Sequence, residues 1–164
     1  MKKRKEFEVE CLWTYNNLEC AIIFNIHCAH RCGYVGVPKG NFFYGKSYDE
    51  ISDYIDVHGG VTFAGKRDFS KEDLWWIGFD CGHYGDKSDI ESMERYMEEN
   101  GYTEKEMQML MGTQVILDGE EWDDEKVGIE VECMADQLGM SKLEILKMNL
   151  QMGKKLKDAC SELK

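Results

Sequence analysis

Three short runs hold every histidine of the chain and three of its seven cysteines. "HCAHRC" gives His27, Cys28, His30, Arg31 and Cys32. "DVHGG" gives Asp56, His58, Gly59 and Gly60. "DCGHYGD" gives Asp80, Cys81, His83 and Asp86. Thiol, imidazole and carboxylate are the side chains that hold metal ions, move protons and attack electrophilic centres.

Three chemistries fit. The first is zinc binding, with Cys28, His30, Cys32, Cys81 and His83 as ligands. These supply enough thiolates and imidazoles for a tetrahedral site, but gaps of one residue depart from the paired C-x₂₋₄-C knuckles of structural zinc. The spacing therefore predicts no resident cofactor, with zinc as the exception to test. The second is nucleophilic catalysis, with Cys32 or Cys81 as thiolate, His58 or His83 as base and Asp80 or Asp86 as orienter. No helix start follows either cysteine to activate it, and a free cysteine commonly serves as a small buried hydrophobe. The third is a polar cluster of Arg31, His58, Asp80, His83 and Asp86. Such a cluster either fixes strand ends or lines a pocket for a small, nucleotide-like ligand, and Arg31 would neutralise the carboxylates.

The elements that must position these residues are strands first and helices second. Glu6–Trp13 alternates polar and apolar residues with period two. Cys20–Cys28 is a nearly unbroken apolar run. Cys32–Val37, Gly59–Gly65 and Leu74–Asp80 are β-prone and bounded by turn residues or charges. That predicts about five strands, with "YNNLE" as a turn between the first two. Each chemistry-bearing run borders a predicted strand, so the three could meet at one end of a sheet. Trp75 and Trp76 must face opposite sides of their strand. The three aromatics of "GNFFYG" (Gly40–Gly45) are either tucked in or form a contact patch.

From residue 87 onward the signals are helical. Capping boxes are predicted at Ser88/Glu91, Thr103/Glu106 and Ser141/Glu144. Asn100 and Gly101 mark a helix end. A helix over Asp123–Leu138 would bury Val127, Val131, Met134 and Leu138 and stop at Gly139. Leu143, Leu146, Leu150 and Met152 form an apolar stripe on the last helix. The expected fold is therefore α+β: an antiparallel or mixed sheet of about five strands, then about four helices. Residues 1–86 form the β-rich core, and residues 87–164 an acidic helical region packed on or beside it in one compact domain.

The net charge of −12 is uneven. Residues 87–140 hold 16 acids and 4 bases, whereas residues 141–164 hold 3 acids and 6 bases. Phosphate binding needs Lys and Arg, so the acidic segment disfavours nucleic acid and suits a basic protein or ribonucleoprotein. Glu120, Glu121, Asp123, Asp124 and Glu125 are its densest part and the predicted partner-binding residues. No apolar run reaches the ~18–20 residues that span a bilayer. The basic start "MKKRKEFEVEC" has no apolar stretch behind it. A soluble protein of a bacterial cytoplasm with reduced thiols is the expectation.

The segments "HRCGYVGVPKG…YGKSYDEI" (His30–Ile51), "DVHGGVTFAG" (Asp56–Gly65), "WWIGFDCGHYGD" (Trp75–Asp86) and "VECMADQLG" (Val131–Gly139) occur in that order. Together they resemble a widespread, largely uncharacterised family of small proteins encoded by phages, prophages and bacterial mobile elements. The resemblance covers most of residues 20–139, and Ile90–Asp123 looks like an added acidic helical segment. It implies an accessory role, of which counter-defence is a prominent kind. On that view the acidic surface inhibits a basic, nucleic-acid-targeting host effector such as a CRISPR nuclease of the Cas9 type. The alternative is the Cys/His/Asp pocket that binds or hydrolyses a small ligand.

Overall fold

The computed structural model describes residues 4–162, apart from the side chains of 113–114 and 154–162. Lys2 and Lys3 of the basic start and the Cys160 thiol lie outside the described residues.

Strands β1 (Phe7–Tyr15) and β2 (Leu18–Asn25) form a hairpin. Its turn is Asn16-Asn17, both at positive φ (47° and 62°). A tight hairpin requires that conformation, and asparagine tolerates it better than most side chains. β3 (His30–Val37) returns beside β2. The chain then passes through α1 (Tyr48–Ser52) and re-enters the sheet as β4 (Phe63–Gly65) and β5 (Trp75–Asp80). The order is β1-β2-β3-β5-β4, antiparallel at every pairing. Helices α2 (Ile90–Glu99), α3 (Glu104–Gln114), α4 (Asp124–Leu138) and α5 (Lys142–Glu162) follow. The expected α+β class is the observed one, with five strands and a fifth, short helix. That extra helix, α1, is opened by a Ser47/Glu50 capping box and is too short to display a helical period. β4 is shorter than Gly59–Gly65 because Gly59 and Gly60 turn the chain at φ 66° and 84°.

One face of the sheet packs against α4. Val127, Val131, Met134, Ala135 and Leu138 are buried there with Cys20, Ile22, Val35, Ile77 and Phe79, so the two halves of the sequence share a core. Gly33 permits the approach: a Cβ there would lie 2.5 Å from Val131 and 2.6 Å from Phe79. The opposite face buries Ala21, Ile23, Tyr34 and Trp76 under Leu74, Phe63 and Phe69. Trp76 is thus core, while Trp75 faces the other way and its Nε1 donates to Lys46 O at 2.9 Å. Phe43 of "GNFFYG" is buried, with Phe42 and Tyr44 half-buried beside it. A third cluster at the end of β2 joins Phe24 and Ile26 to Met93 and Met97 of α2.

The capping boxes at Thr103/Glu106 and Ser141/Glu144 form as expected. The one at Ser88/Glu91 does not. Asp89 is the N-cap of α2 and accepts from Ser92 N at 3.0 Å. Ser88 instead accepts from Ile116 N at 3.0 Å, holding the loop after α3. The stripe on α5 is a second correction: Leu143, Leu146, Leu150 and Met152 are exposed, and Ile145 is the buried residue of that helix's first turns. No helix among the described residues is long and apolar enough to cross a membrane.

Candidate functional site

Two loops at one end of the sheet bring His58, His83 and Asp86 together. His58 lies between α1 and β4; His83 and Asp86 lie between β5 and α2. One donor atom from each lies within 4.8 Å of the others. His58 Nε2 is 2.8 Å from Asp86 Oδ2. The same oxygen accepts from the His83 backbone N–H at 2.9 Å and lies 3.4 Å from His83 Nδ1. Asp86 is buried. Burial alone would raise its pKa, but His58 and the His83 amide outweigh it and hold the carboxyl below its ordinary range.

The surroundings fix both rings. Trp122 lies against His58 with centroids 3.9 Å apart, and His83 meets His58 edge-on at 5.3 Å. Glu130 of α4 accepts from the His58 backbone N–H at 2.6 Å. A Cβ on Gly59 would lie 2.0 Å from His83 Cε1, so only glycine fits at that turn. Asp80 stands 3.9 Å from His83 Nε2 and accepts from Gly82 N at 3.1 Å.

Arg31 is not part of this group. It lies on the helix-facing side of β3, where Nε and Nη2 bind Glu10 at 2.7 and 3.1 Å. Nη1 donates to Asp89 at 2.8 Å and to Trp122 O at 3.3 Å. Glu10 reaches it because β1 carries a bulge between Val9 and Cys11, which re-aims that side chain. Tyr96 OH also donates to Glu10, at 2.8 Å. Burial would lower the Arg31 pKa, but Glu10 and Asp89 hold the guanidinium above its ordinary value. Arg31 thus reaches the histidines through Trp122, whose carbonyl it holds and whose ring covers His58.

The cysteines stand apart. Cys32 and Cys81 are buried in different apolar clusters. Burial pushes the Cys32 thiol up to about 12 and the Cys81 thiol up as well, with nearby carboxylates adding to both. Neither is set up as a thiolate nucleophile. Nor do Cys28, His30, Cys32 and Cys81 join His83 as zinc ligands. Among the described residues the one group of three or more metal-ligating side chains is His58, His83 and Asp86. His30 Nδ1 lies 3.2 Å from Arg31 O and 3.7 Å from Cys32 Sγ, a single pair with no third ligand among the described residues, and His27 Nε2 meets Tyr102 OH at 2.8 Å.

The acidic run is partly committed to the fold. Glu120 pairs with Lys126 and Glu121 with Lys87. Asp123 caps α4, accepting from Lys126 N at 2.8 Å. Asp124 and Glu125 occupy its first turn and remain exposed. Three clefts meet around this helix start. One of about 410 Å³ is lined by Arg31, Lys87, Asp89, Glu91, Glu121 and Trp122. A second, of about 500 Å³, includes Glu8, Glu10, Glu99 and Asp124. A third, of about 590 Å³, includes Glu10, Leu12, Asp124, Glu125, Ile129 and Glu132.

Sequence reasoning found His58, His83 and Asp86 but missed Trp122, Glu130 and Glu10. Trp122 carried one signal, an aromatic residue inside a run of acids. Glu10 carried none, because only the bulge turns it inward. The fold and site define an α+β protein with a His–His–Asp group at the sheet's end and acidic clefts beside it. No family model matches the chain, and no curated protein or solved structure matches it either.

Proposed function

We propose that this is a binding protein whose acidic surface engages a basic partner, a host protein or ribonucleoprotein. One observation carries the reading: half of the 16 acids of residues 87–140 line adjoining clefts, and few of the 16 are neutralised from within. Among the described residues of that segment only Asp89, Glu106, Glu120 and Glu121 form ion pairs with Lys or Arg. Such a field gives fast, salt-sensitive association. The resemblance to mobile-element proteins supplies the partner class: a nucleic-acid-targeting effector such as a Cas9-type nuclease, inhibited by acids occupying its cationic channel.

The test is binding to such a ribonucleoprotein at low and high salt, with nuclease cleavage followed in parallel. The variant should reverse Glu91, Asp118, Asp124 and Glu125 to Lys, since Glu120 and Glu121 are already paired with Lys126 and Lys87 and Asp123 caps α4. Affinity should fall with salt and be lost in the variant. Absence of wild-type binding, or unchanged binding by the variant, refutes the reading.

The convergence of His58, His83 and Asp86 favours a second reading, a small-ligand pocket from which the cysteines drop out. Here His58→Ala and His83→Ala would abolish ligand binding while the acidic residues could be reversed without effect.

A further inference from the structure

We propose that His58, His83 and Asp86 bind a first-row divalent transition-metal ion, zinc foremost. Two imidazoles and one carboxylate are the donor set that such ions take with positions left for water or substrate. The three donor atoms all lie within 4.8 Å of one another. Ligand bonds of ~2.0–2.1 Å in a tetrahedral site put donors roughly 3.3 Å apart. Asp86 Oδ2 lies 2.8 Å from His58 Nε2 and 3.4 Å from His83 Nδ1.

Two further observations point to a cation. The Asp86 side chain is 5% exposed, yet it has no Lys or Arg partner among the described residues. A buried carboxylate is ordinarily balanced by a positive charge. And His83 Nδ1 is a buried nitrogen with no hydrogen-bond partner, although it faces that carboxylate. A metal ion between the three satisfies both at once. The supporting shell is present: Trp122 and Glu130 hold His58, Gly59 makes room for the His83 ring, and the Asp80 carboxylate lies 3.9 Å from His83 Nε2. Outer carboxylates of this kind orient imidazole ligands and raise their basicity. With side-chain exposures of 21% and 32%, His58 and His83 leave the site open to exchange with solvent.

The inference shares its location with the second reading above, but its test measures metal uptake rather than ligand binding, so the two fail separately. Full-length protein is stripped with a chelator and titrated with Co²⁺, then with Zn²⁺ in competition. One Co²⁺ per chain should bind, with visible d–d bands and no sulfur-to-metal charge-transfer band. Zn²⁺ should displace it and raise the melting temperature. His58→Gln and His83→Gln, checked for folding by circular dichroism, should each weaken binding about ten-fold or more. Absence of stoichiometric uptake by the folded wild type overturns the proposal whatever the variants do. A thiolate charge-transfer band overturns it too, since it would place the metal on cysteine.

Discussion

Arg31→Met tests the buried ion network most directly. The guanidinium is 8% exposed and Glu10 9% exposed at the side chain, with two bonds between them. Methionine fills much the same volume but leaves the Glu10 carboxylate buried, with the Tyr96 hydroxyl as its remaining partner. Removing one member of a buried pair costs about 3–5 kcal/mol, a large part of the ~5–15 kcal/mol of a typical domain. The bonds to Trp122 O and Ser92 Oγ are lost as well. Urea unfolding followed by tryptophan fluorescence should show a lower midpoint with an unchanged m-value. Adding Glu10→Gln should restore about 1–3 kcal/mol, because the stranded charge is gone. The acid limb should also flatten. Burial works to raise the Asp89 carboxyl, but the Ser92 amide and Arg31 hold it below its ordinary range. Its contribution is therefore complete above the ordinary carboxylate range and lost as pH falls through the lower folded-state value. Without Arg31 that loss shrinks. A cost under ~1 kcal/mol for Arg31→Met, or a double variant weaker than the single one, would refute the argument.

Gly59→Ala and Gly60→Ala form a matched pair. Both residues have positive φ, but a Cβ on Gly60 meets nothing within 4 Å, whereas one on Gly59 strikes His83. Each should lose about 1–2 kcal/mol to backbone strain, and only Gly59→Ala should also abolish Co²⁺ uptake. Met134→Ala, in the middle of the shared core, should cost about 2–5 kcal/mol by thermal or urea melting. Leu146→Gln and Leu150→Gln, on the exposed face of α5, should change stability by roughly 0.5 kcal/mol or less. Among the described cysteines, alkylation at neutral pH with mass-spectrometric readout should label exposed Cys133 first and Cys20, Cys32 and Cys81 last, since those three are buried with raised thiol pKa values.

Local pattern was legible where one residue's environment is set by its neighbours in sequence. The period of "EFEVECLW", the apolar run of β2 and the buried stripe of α4 all have that character. So does the meeting of His58 with His83 and Asp86, because each lies in a loop at the end of a strand. What failed was competition between equivalent options. Ser88 and Asp89 can both cap a helix, and Asp89 does so because Ser88 is taken by Ile116 N. The α5 stripe has the spacing of a core helix, yet spacing cannot say whether a partner surface is within reach. Arg31 sits next to His30 in sequence but alternates to the other face of β3, toward Glu10 and α2.

The bulge at Glu10 has a bearing on how the molecule behaves in a crowded solution. β1 is an edge strand nine residues long, with Phe7, Val9 and Leu12 exposed along it. An edge of that length and character is a template on which another chain could add a strand and begin to aggregate. The extra residue breaks the regular spacing of the free amides and carbonyls and twists the strand. Lys5, Glu6 and Glu8 add charge at the same end. The irregularity that turns one carboxylate inward to meet Arg31 therefore also makes β1 a poorer template for a strand from a second copy.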